Sequence, residues 1–282
     1  MGLFVVLIIL AISDNGISFV LELFLYLLLG TFSGYLAGLF GIGGGIIIIP
    51  VFFYIFTYIV GVPEEVLAHI VLGTSLGVIV FSSMASAYSH HKKKAVIWDL
   101  LKIIAPSICL GTALGAFTAS YIPSSTLQGL VAIFLIAVSI QMAFQFPPPM
   151  QNPKTSYVGP IIIGSGIGWF SGIFGIGGGI FSVPYFYHRG LQMTQAIGSS
   201  AACGIPIAIS GSISYMFVGS GLPNLPEYSV GYVYLPGAII VGLASALSAS
   251  VGVKAAHRIK QKKLRKAFAL LLMLMGLNLL LR

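Results

Sequence analysis

The sequence predicts an all-α polytopic membrane protein built from two inverted five-helix repeats. Hydrophobic residues make up 57% of the 282 residues and charged residues only 7%, with a mean hydropathy of +1.03. Soluble domains carry about 25% charged residues, so this chain cannot cover itself with polar surface. In addition, a long glycine-rich motif occurs twice, and about ten apolar segments divide evenly around a proline-rich stretch. These observations place the chain in a lipid bilayer as a duplicated helical bundle.

The composition argues against several other classes of protein. The net charge of +8 comes from basic residues confined to short loops, so it does not indicate a nucleic-acid surface. No His/Cys cluster has the spacing of a metal site, and no Lys-Ser/Thr pair follows the glycines as in a phosphate-binding loop. Cys109 and Cys203 lie in apolar segments and are expected to be free buried thiols. We therefore expect no enzyme activity, no cofactor, no metal and no nucleic-acid partner.

The apolar segments define the domain organisation. Residues 1–18 form an N-terminal apolar extension without the basic start of a signal peptide. Its first twelve residues would span about 18 Å as a helix, which is too short to cross a bilayer. An interfacial helix or an extension of the next segment is expected there. The first repeat covers 19–145 with segments at about 19–40, 46–62, 66–89, 98–120 and 125–145.

The second repeat follows a proline-rich linker. Residues 146–156 contain Pro147, Pro148, Pro149 and Pro153, which favour an extended conformation over a helix. The second repeat covers 157–282, with segments at about 157–174, 180–188, 193–218, 230–252 and 264–281. The segment at 180–188 would span about 14 Å as a helix. It is therefore expected to enter only to about mid-membrane and return to the same face.

The doubled motif is the strongest sign of an internal duplication. Gly34–Pro50 and Gly168–Pro184 share the pattern Gly-x-x-x-Gly-x-Phe-Gly-Ile-Gly-Gly-Gly and end on proline, 134 residues apart. Further along, Gly73-Thr74-Ser75 corresponds to Gly198-Ser199-Ser200. Each glycine in a helix interior costs about 1 kcal/mol relative to alanine. Three successive glycines in each copy therefore indicate a break in the helix.

The number of segments and the distribution of charge give the predicted topology. An odd number of segments in each repeat inverts the second repeat relative to the first. With the basic loop 90–97 in the cytoplasm, as the positive-inside rule requires, linker 146–156 and loop 254–266 are also cytoplasmic. Every Lys and Arg except Arg282 then lies on that side, and the first repeat begins outside. The acids Asp14, Glu22, Glu64, Glu65 and Glu227 fall outside, whereas Asp99 does not; acids contribute little to topology, so they serve as a consistency check only.

The glycine breaks are the candidate binding site. Non-helical backbone inside a membrane survives only where protein or a water-filled cavity satisfies its polar groups. A helix that starts after such a break presents unpaired N–H groups and a positive dipole end, which together bind anions. The predicted substrate-binding glycines are Gly41, Gly43, Gly44 and Gly45 in the first copy and Gly175, Gly177, Gly178 and Gly179 in the second. The alternative is that glycines only permit close helix packing, which is the role expected for Gly34, Gly38, Gly168 and Gly172.

Hydroxyl and amide side chains extend the predicted site. Thr74, Ser75, Ser199 and Ser200 occupy matching positions in the two repeats and would add neutral donors, and Gln195 lies one turn before Ser199. Serine and threonine in membrane helices also commonly bond to their own backbone or to a neighbouring helix, so both interpretations stay open. His69, one turn before Gly73, could relay a proton. It could equally lie near the interface beside Glu64 and Glu65 without such a role.

The motifs identify a family resemblance. Gly-Leu-Phe-Gly-Ile-Gly-Gly-Gly followed by proline at 38–50, its copy at 172–184, and Gly-Thr-Ser at 73–75 resemble the TauE/SafE family of sulfite and organosulfonate exporters. The resemblance covers nearly the whole chain beyond residue 18. It implies a multi-pass protein of the prokaryotic plasma membrane that exports small sulfur-containing anions from a site between two five-helix repeats. The apolar segment after Pro184 is shorter than the one after Pro50, so the two copies are not expected to contribute to that site with strict symmetry.

Two functions from different classes follow from these features. The first is a secondary transporter of a small anion that works by alternating access, with the anion and the lipid bilayer as its partners. The second is an anion channel whose pore is lined by glycine-loop backbone. Ser229–Val233 superficially resembles a channel filter, but it occurs once and precedes a helix. Small-residue faces suit packing within one chain and between copies, so the sequence also allows a homo-oligomer.

Overall fold

The computed structural model describes residues 16–40, 44–144, 158–256 and 261–281, and these residues form an all-α fold. The N-terminal extension as far as residue 15 and linker 146–156 lie outside the described residues. The first half contains α1 (Gly16–Phe40), α2 (Gly45–Ile55) with a π-helical turn (Phe56–Val60), α3 (Glu64–Lys92), α4 (Trp98–Ser120) and α5 (Ser124–Phe144).

The second half repeats this order of elements with one addition. It contains α6 (Val158–Phe174), α7 (Gly179–His188), α8 (Met193–Val218), the strands β1 (Ser229–Val230) and β2 (Val233–Tyr234), α9 (Leu235–Ala256) and α10 (Gln261–Leu280). The strands pair antiparallel, with Ser229 opposite Tyr234 and Val230 opposite Val233. The sequence predicted a single apolar segment at 230–252. That prediction was wrong at its start, because α9 begins only at Leu235, after the hairpin.

The helices have the length and composition of a polytopic membrane protein. Among the described residues, α3, α4, α5, α8, most of α1 and nearly all of α9 are long and apolar enough to cross a membrane. The apolar stretches Gly45–Val60, Gly159–Phe174 and Phe268–Leu280 are shorter. At about 1.5 Å per residue, the 10 residues of α7 span about 15 Å. Its length is therefore about half of a hydrocarbon core.

The centre of the bundle is the contact between α3 and α8. Helix α3 is the most deeply enclosed of the membrane-length helices, since 83% of its apolar window is buried. Around this pair, α1 packs against α9 and α4 packs against α6, while α5 packs against α10. Each of these contacts joins a helix of the first half to one of the second half. The two halves are therefore interlocked and share one hydrophobic core.

Small residues permit the closest of these contacts. A Cβ atom at Gly34 or Gly38 of α1 would clash with the backbone of Ser245 or Ala249 in α9. Equivalent clashes would arise between Gly168 or Gly172 of α6 and the backbone of α4. The packing role predicted for these four glycines is confirmed.

The two ends of the bundle differ in composition. Lys93 Nζ donates to the Val253 carbonyl at 3.2 Å, so the basic loop after α3 lies against the end of α9. The start of α9 is at the other end of that helix, about 30 Å away for its 22 residues. There the β1–β2 hairpin packs against α8, and Gly231, at φ +52°, lies directly on the Met216 backbone. A side chain at Gly231 would not fit this approach.

The cysteines are free, as expected, but only one of them is fully buried. Cys203 in α8 is buried, whereas Cys109 in α4 is half-buried. The prediction of two buried thiols is therefore correct for Cys203 and wrong for Cys109. Cys109 lies close to α8, because its carbonyl accepts a hydrogen bond from Ser210 Oγ at 2.7 Å. The other side of α4 faces outward, with Leu110 and Leu114 exposed.

Candidate functional site

The two glycine breaks interrupt the helices where the doubled motif predicts. Gly44 precedes α2 with φ +77°, and Gly175 and Gly178 precede α7 with φ +62° and +70°. These left-handed conformations cost residues with a Cβ roughly 1–2 kcal/mol, so glycine is favoured at these turns. Gly41 and Gly43 lie outside the described residues. Among the described residues, neither α2 nor α7 receives a hydrogen bond from a capping side chain.

The two breaks are in direct contact. A Cβ atom at Gly45 would lie 3.1 Å from the Gly175 carbonyl oxygen and 3.2 Å from Ile176 Cα. Ser75 Oγ of α3 donates to the same Gly175 carbonyl at 3.0 Å. The start of α2, the second break and Ser75 therefore meet at one point inside the protein, which we call the crossing point (Gly45, Ser75, Gly175 and Ile176). All four residues are buried.

The second break forms a local hydroxyl pair. Ser182, one turn into α7, donates to the Gly178 carbonyl at 3.0 Å and lies 2.8 Å from Ser200 Oγ of α8. Gly177 approaches α8 as well, because its carbonyl oxygen lies 3.7 Å from where a Cβ of Gly204 would be. The second break is therefore held against α8, while Ser75 of α3 reaches it from the other repeat.

Thr74 and Ser199 accept hydrogen bonds from helix entries in the opposite half. Thr74 Oγ1 accepts from the Tyr234 N–H at 2.9 Å, immediately before α9. Ser199 Oγ accepts from the Ile97 N–H at 3.0 Å, immediately before α4. These corresponding hydroxyls thus stabilise corresponding helix starts. Both groups are fully buried, and in this structure their oxygens are occupied by backbone donors.

Gln195 and His69 lie away from the crossing point. Gln195 Oε1 accepts from the Gln192 N–H at 3.2 Å and caps the start of α8. His69 is buried, with Nε2 3.2 Å from the Ala119 carbonyl and its ring stacked on Tyr232 at 4.8 Å between centroids. Its Nδ1 has no hydrogen-bond partner within the described part of the chain. A role for Gln195 in substrate binding and for His69 in proton transfer stays a prediction.

The electrostatic character of the interior comes from neutral groups. The buried polar groups of the described residues are serine and threonine hydroxyls, His69 and His90, and the hydroxyls of buried tyrosines such as Tyr215. No buried Lys or Arg is among them, and the same residues hold no group of three metal-ligating side chains. An anion near the crossing point would therefore meet backbone N–H groups, helix dipoles and hydroxyls.

A groove of about 400 Å³ opens beside the second break. It lies between α5, α6 and α7, and its lining residues are Gln141, Ile163, Gly166, Ile167, Phe170, Ile180, Phe181 and Pro184. The face of α7 that lines it carries Ile180, Phe181 and Pro184, whereas Ser182 lies on the buried face of the same helix. The groove is apolar apart from Gln141 and adjoins the second hairpin.

Comparison with models of protein families identifies the family of this chain. The family model described as "Sulfite exporter TauE/SafE" matches residues 26–279. The chain belongs to the TauE/SafE family. The sequence resemblance is thereby confirmed over nearly the whole chain.

Curated relatives of this TauE/SafE protein are named as membrane transporters. A "Probable membrane transporter protein" of Haemophilus influenzae is 37% identical over 263 residues, covering 92% of this chain and 98% of the relative. A protein of the same description from Methanocaldococcus jannaschii is 34% identical, covering 94% and 97%. One from Bacillus subtilis is 28% identical, covering 88% and 96%. No solved structure matches the chain. The family and these names indicate a membrane transporter rather than an enzyme.

Sequence reasoning missed Ser182 as part of the site. The residue at the corresponding place in the first copy is Ile48, so a comparison of the two repeats gave it no weight. A usable signal was present, because a serine one turn after a glycine break, in an otherwise apolar segment, can reach the last carbonyl of the break. The partner Ser200 was predicted, but its pairing with Ser182 depends on how α7 packs on α8.

Proposed function

We propose that this TauE/SafE protein is a secondary transporter that exports small sulfur-containing anions, such as sulfite or organosulfonates, by alternating access. The observation that carries the proposal is the contact of Gly45 with Gly175 and Ile176. It brings the start of α2 and the second glycine break to one buried point. The family description and the names of the relatives support transport of a solute across a membrane.

The chemistry of the crossing point favours an anion of this kind. Helix starts concentrate N–H groups and a positive dipole of about half an elementary charge, and an oxyanion such as sulfite presents several acceptor oxygens to them. Hydroxyls such as Ser75, which in this structure donates to the Gly175 carbonyl, would add donors without adding charge. Separation of α2 from the second break would open the crossing point to the anion.

The arrangement of the helices supports two inverted repeats of five membrane segments each. Helix α1 packs on α9 and α6 packs on α4, which are corresponding pairs with the repeats exchanged. The hydrogen bonds of Thr74 and Ser199 are exchanged between the repeats in the same way. In inverted-repeat transporters such symmetry places the substrate at the repeat interface.

The proposal includes an orientation and a location. The loops 90–97 and 254–266 and linker 146–156 would be cytoplasmic, in the plasma membrane of a prokaryote, with the first repeat starting outside. The contact of Lys93 with Val253 supports one common side for two of these basic regions. The channel alternative gains no support, since Ser229–Tyr234 forms a short β-hairpin and the two breaks close on each other. A homo-oligomer stays a prediction of the sequence.

Flux measurements in proteoliposomes test the transport function. The purified protein is expected to give saturable flux of at least one of sulfite, taurine and sulfoacetate. Gly45→Ala should abolish most of that flux, because the added methyl group enters contacts of 2.8 Å with Ile79 Cδ1 and 3.1 Å with the Gly175 carbonyl. Gly129→Ala in α5 is the matched control, since a Cβ there meets nothing within 4 Å.

Three outcomes separate the parts of this proposal. The absence of saturable flux of any of these anions in the wild type would contradict the transport function. Unchanged flux and unchanged apparent affinity in Gly45→Ala would show that the crossing point is not the site. Non-saturating flux with single-channel currents would favour the channel instead.

A further inference from the structure

The groove between α5, α6 and α7 has the properties of a site for an apolar ligand. Its volume is about 400 Å³, and its lining side chains are apolar apart from the amide of Gln141. Small-molecule sites in proteins are concave, measure about 300–1,000 Å³ and combine apolar walls with a few polar groups. The groove is therefore a candidate binding site separate from the crossing point.

The lining of the groove does not suit the anion proposed for the crossing point. Among the described residues that line it, none carries a charge or a hydroxyl. Ser182 of α7 bonds to the Gly178 carbonyl and lies against Ser200 of α8, on the buried face of its helix. An anion without hydrogen-bond donors in an apolar site would be strongly disfavoured. The ligand of the groove is therefore apolar.

The groove opens on the lipid-facing surface of the protein. Beside it, the side chains of Ile162 and Trp169 in α6 are 66% and 37% exposed, and Ile133 of α5 is 57% exposed. Such side chains are at home among lipid tails, which are as apolar as leucine. The groove is continuous with this surface, because Ile163 and Phe170 line it and are themselves exposed. An acyl chain of the bilayer can therefore enter it from the side.

The shape of the groove fits a flexible carbon chain. Its lining extends along α6 from Ile163 to Phe170, a rise of about 10 Å. Aromatic rings form one wall, since Phe181 lies 5.6 Å from Phe170 and 6.0 Å from Phe134 between ring centroids. In the middle lies Gly166, where an added Cβ would meet nothing within 4 Å. This glycine therefore keeps the centre of the groove open.

The amide of Gln141 fits the polar part of a phospholipid. Gln141 is exposed and lies in the last turn of α5, which ends at Phe144. Because α5 is long enough to cross a membrane, its last turn lies near the bilayer surface. The ester groups of a phospholipid lie at that level, and the side-chain amide can donate a hydrogen bond to an ester carbonyl.

We propose that this groove is a binding site for one acyl chain of a membrane phospholipid. The chain lies along α6 between Phe170 and Phe181, and its ester carbonyl accepts a hydrogen bond from Gln141. In this position it covers the outer face of α7, while the inner face of the same helix holds Ser182 against Ser200. The bound lipid thereby stabilises the second hairpin. The site does not depend on the transport function proposed above.

Quenching of tryptophan fluorescence by a brominated phospholipid tests the site. In a protein whose two tryptophans, Trp98 and Trp169, are replaced by phenylalanine, Phe170→Trp reports on the groove and Ile162→Trp on the adjacent open surface. Both should be quenched in bilayers of dibrominated phosphatidylcholine. After transfer into a mild detergent, quenching should persist in Phe170→Trp and be lost in Ile162→Trp, because only a bound lipid is retained. Equal loss at both positions would overturn the inference.

Filling the groove gives a second test. In the Phe170→Trp protein, Gly166→Leu should abolish the persistent quenching, because the new side chain extends into the space of the acyl chain. Gly129→Leu is the matched control, since a Cβ at this glycine of α5 also meets nothing within 4 Å and the residue lies outside the groove. This control should keep the quenching. Persistent quenching in Gly166→Leu would contradict the site. The comparison of Phe170→Trp with Ile162→Trp stands even if Gly166→Leu fails to fold.

Mass spectrometry of the intact protein in detergent identifies the occupant. The wild type and Gly129→Leu should each carry one phospholipid that Gly166→Leu lacks, and added phospholipid should raise the unfolding temperature of the first two only. A free fatty acid or detergent in place of the phospholipid would overturn the inference. So would a dimer that Gly166→Leu dissociates, which would identify a second copy of the chain as the cover. Absence of quenching of Phe170→Trp in the bilayer would also overturn it, because the groove would then be closed to lipid.

Discussion

The two glycine breaks share a sequence motif but differ in their surroundings. In the first copy, Ile46, Ile47 and Pro50 of α2 are all buried. In the second copy, the corresponding Ile180, Phe181 and Pro184 of α7 are half-buried and line the open groove. Helix α2 also continues through the π-helical turn to Val60, whereas α7 ends at His188 after 10 residues. The first hairpin is therefore enclosed by protein, and the second is shorter and less covered.

Two serine contacts also differ between the copies. Ser75 of the first repeat donates to the Gly175 carbonyl of the second break, and Ser200 of the second repeat lies 2.8 Å from Ser182 Oγ beside its own break. The first copy has Ile48 where the second has Ser182, so the hydroxyl pair exists only once. The two turns therefore resemble each other in sequence but differ in packing. The helix after the first is buried in the core, and the helix after the second carries Ser182 and borders the groove.

The largest expected difference concerns the matched isoleucines Ile46 and Ile180. Ile46→Ala should lower the free energy of unfolding by about 2–5 kcal/mol, since it leaves a cavity at a fully buried position. Ile180→Ala should cost about 1 kcal/mol, the centre of the range for ordinary substitutions, because this side chain already faces the groove. Denaturant titration of the purified protein in detergent would measure both free energies of unfolding. Equal losses would contradict the claim that only the first hairpin is enclosed.

An intermediate effect is expected at the serines of α3 and α8. Ser75→Ala leaves the buried Gly175 carbonyl without its donor and should cost about 1–3 kcal/mol. Ser200→Ala should cost about 0.5–1.5 kcal/mol, because Ser182 keeps its bond to the Gly178 carbonyl. Ser83→Ala is the control in α3, since its hydroxyl bonds only one turn back to the Val80 carbonyl at 3.3 Å. A larger loss at Ser200 than at Ser75 would reverse the assignment of the bridging role.

Much of the helical architecture could be predicted from sequence. The segments predicted at 98–120 and 193–218 coincide with α4 and α8, because long apolar runs end at basic, proline or glycine residues. The β1–β2 hairpin was missed, since two short strands within an apolar run carry too few residues for a period of two to be recognised. The hairpin exists because Gly231 lets the chain fold back closely on α8, which is a tertiary contact.

The positions of the two breaks could be predicted from the glycines, and the contacts of the hydroxyls could not. The cost of glycine in helices located both breaks correctly, since Gly44, Gly175 and Gly178 have left-handed conformations. The roles of Thr74, Ser75 and Ser199 depend on which segment of the other half lies opposite each hydroxyl. That pairing joins residues 100 or more positions apart, and no local pattern encodes it. Gln195 was included in the predicted site because it is close to Ser199 in sequence. In the structure it caps the start of α8.

The smallest expected effect concerns Thr74 and Ser199, where the two halves still behave alike. Thr74→Val and Ser199→Ala each remove the acceptor for a backbone N–H at a helix start, which costs about 1 kcal/mol in comparable caps. The two variants should lose equal stability in thermal unfolding, and Thr74→Ser should recover it. That result would show that these two helix caps are equivalent in the two halves although the glycine breaks are not. A clearly larger loss at Thr74 would extend the asymmetry to the caps. The bond between Tyr234 and Glu22 gives a physical reason for that outcome, because the helix entry held by Thr74 also carries the donor to the carboxylate.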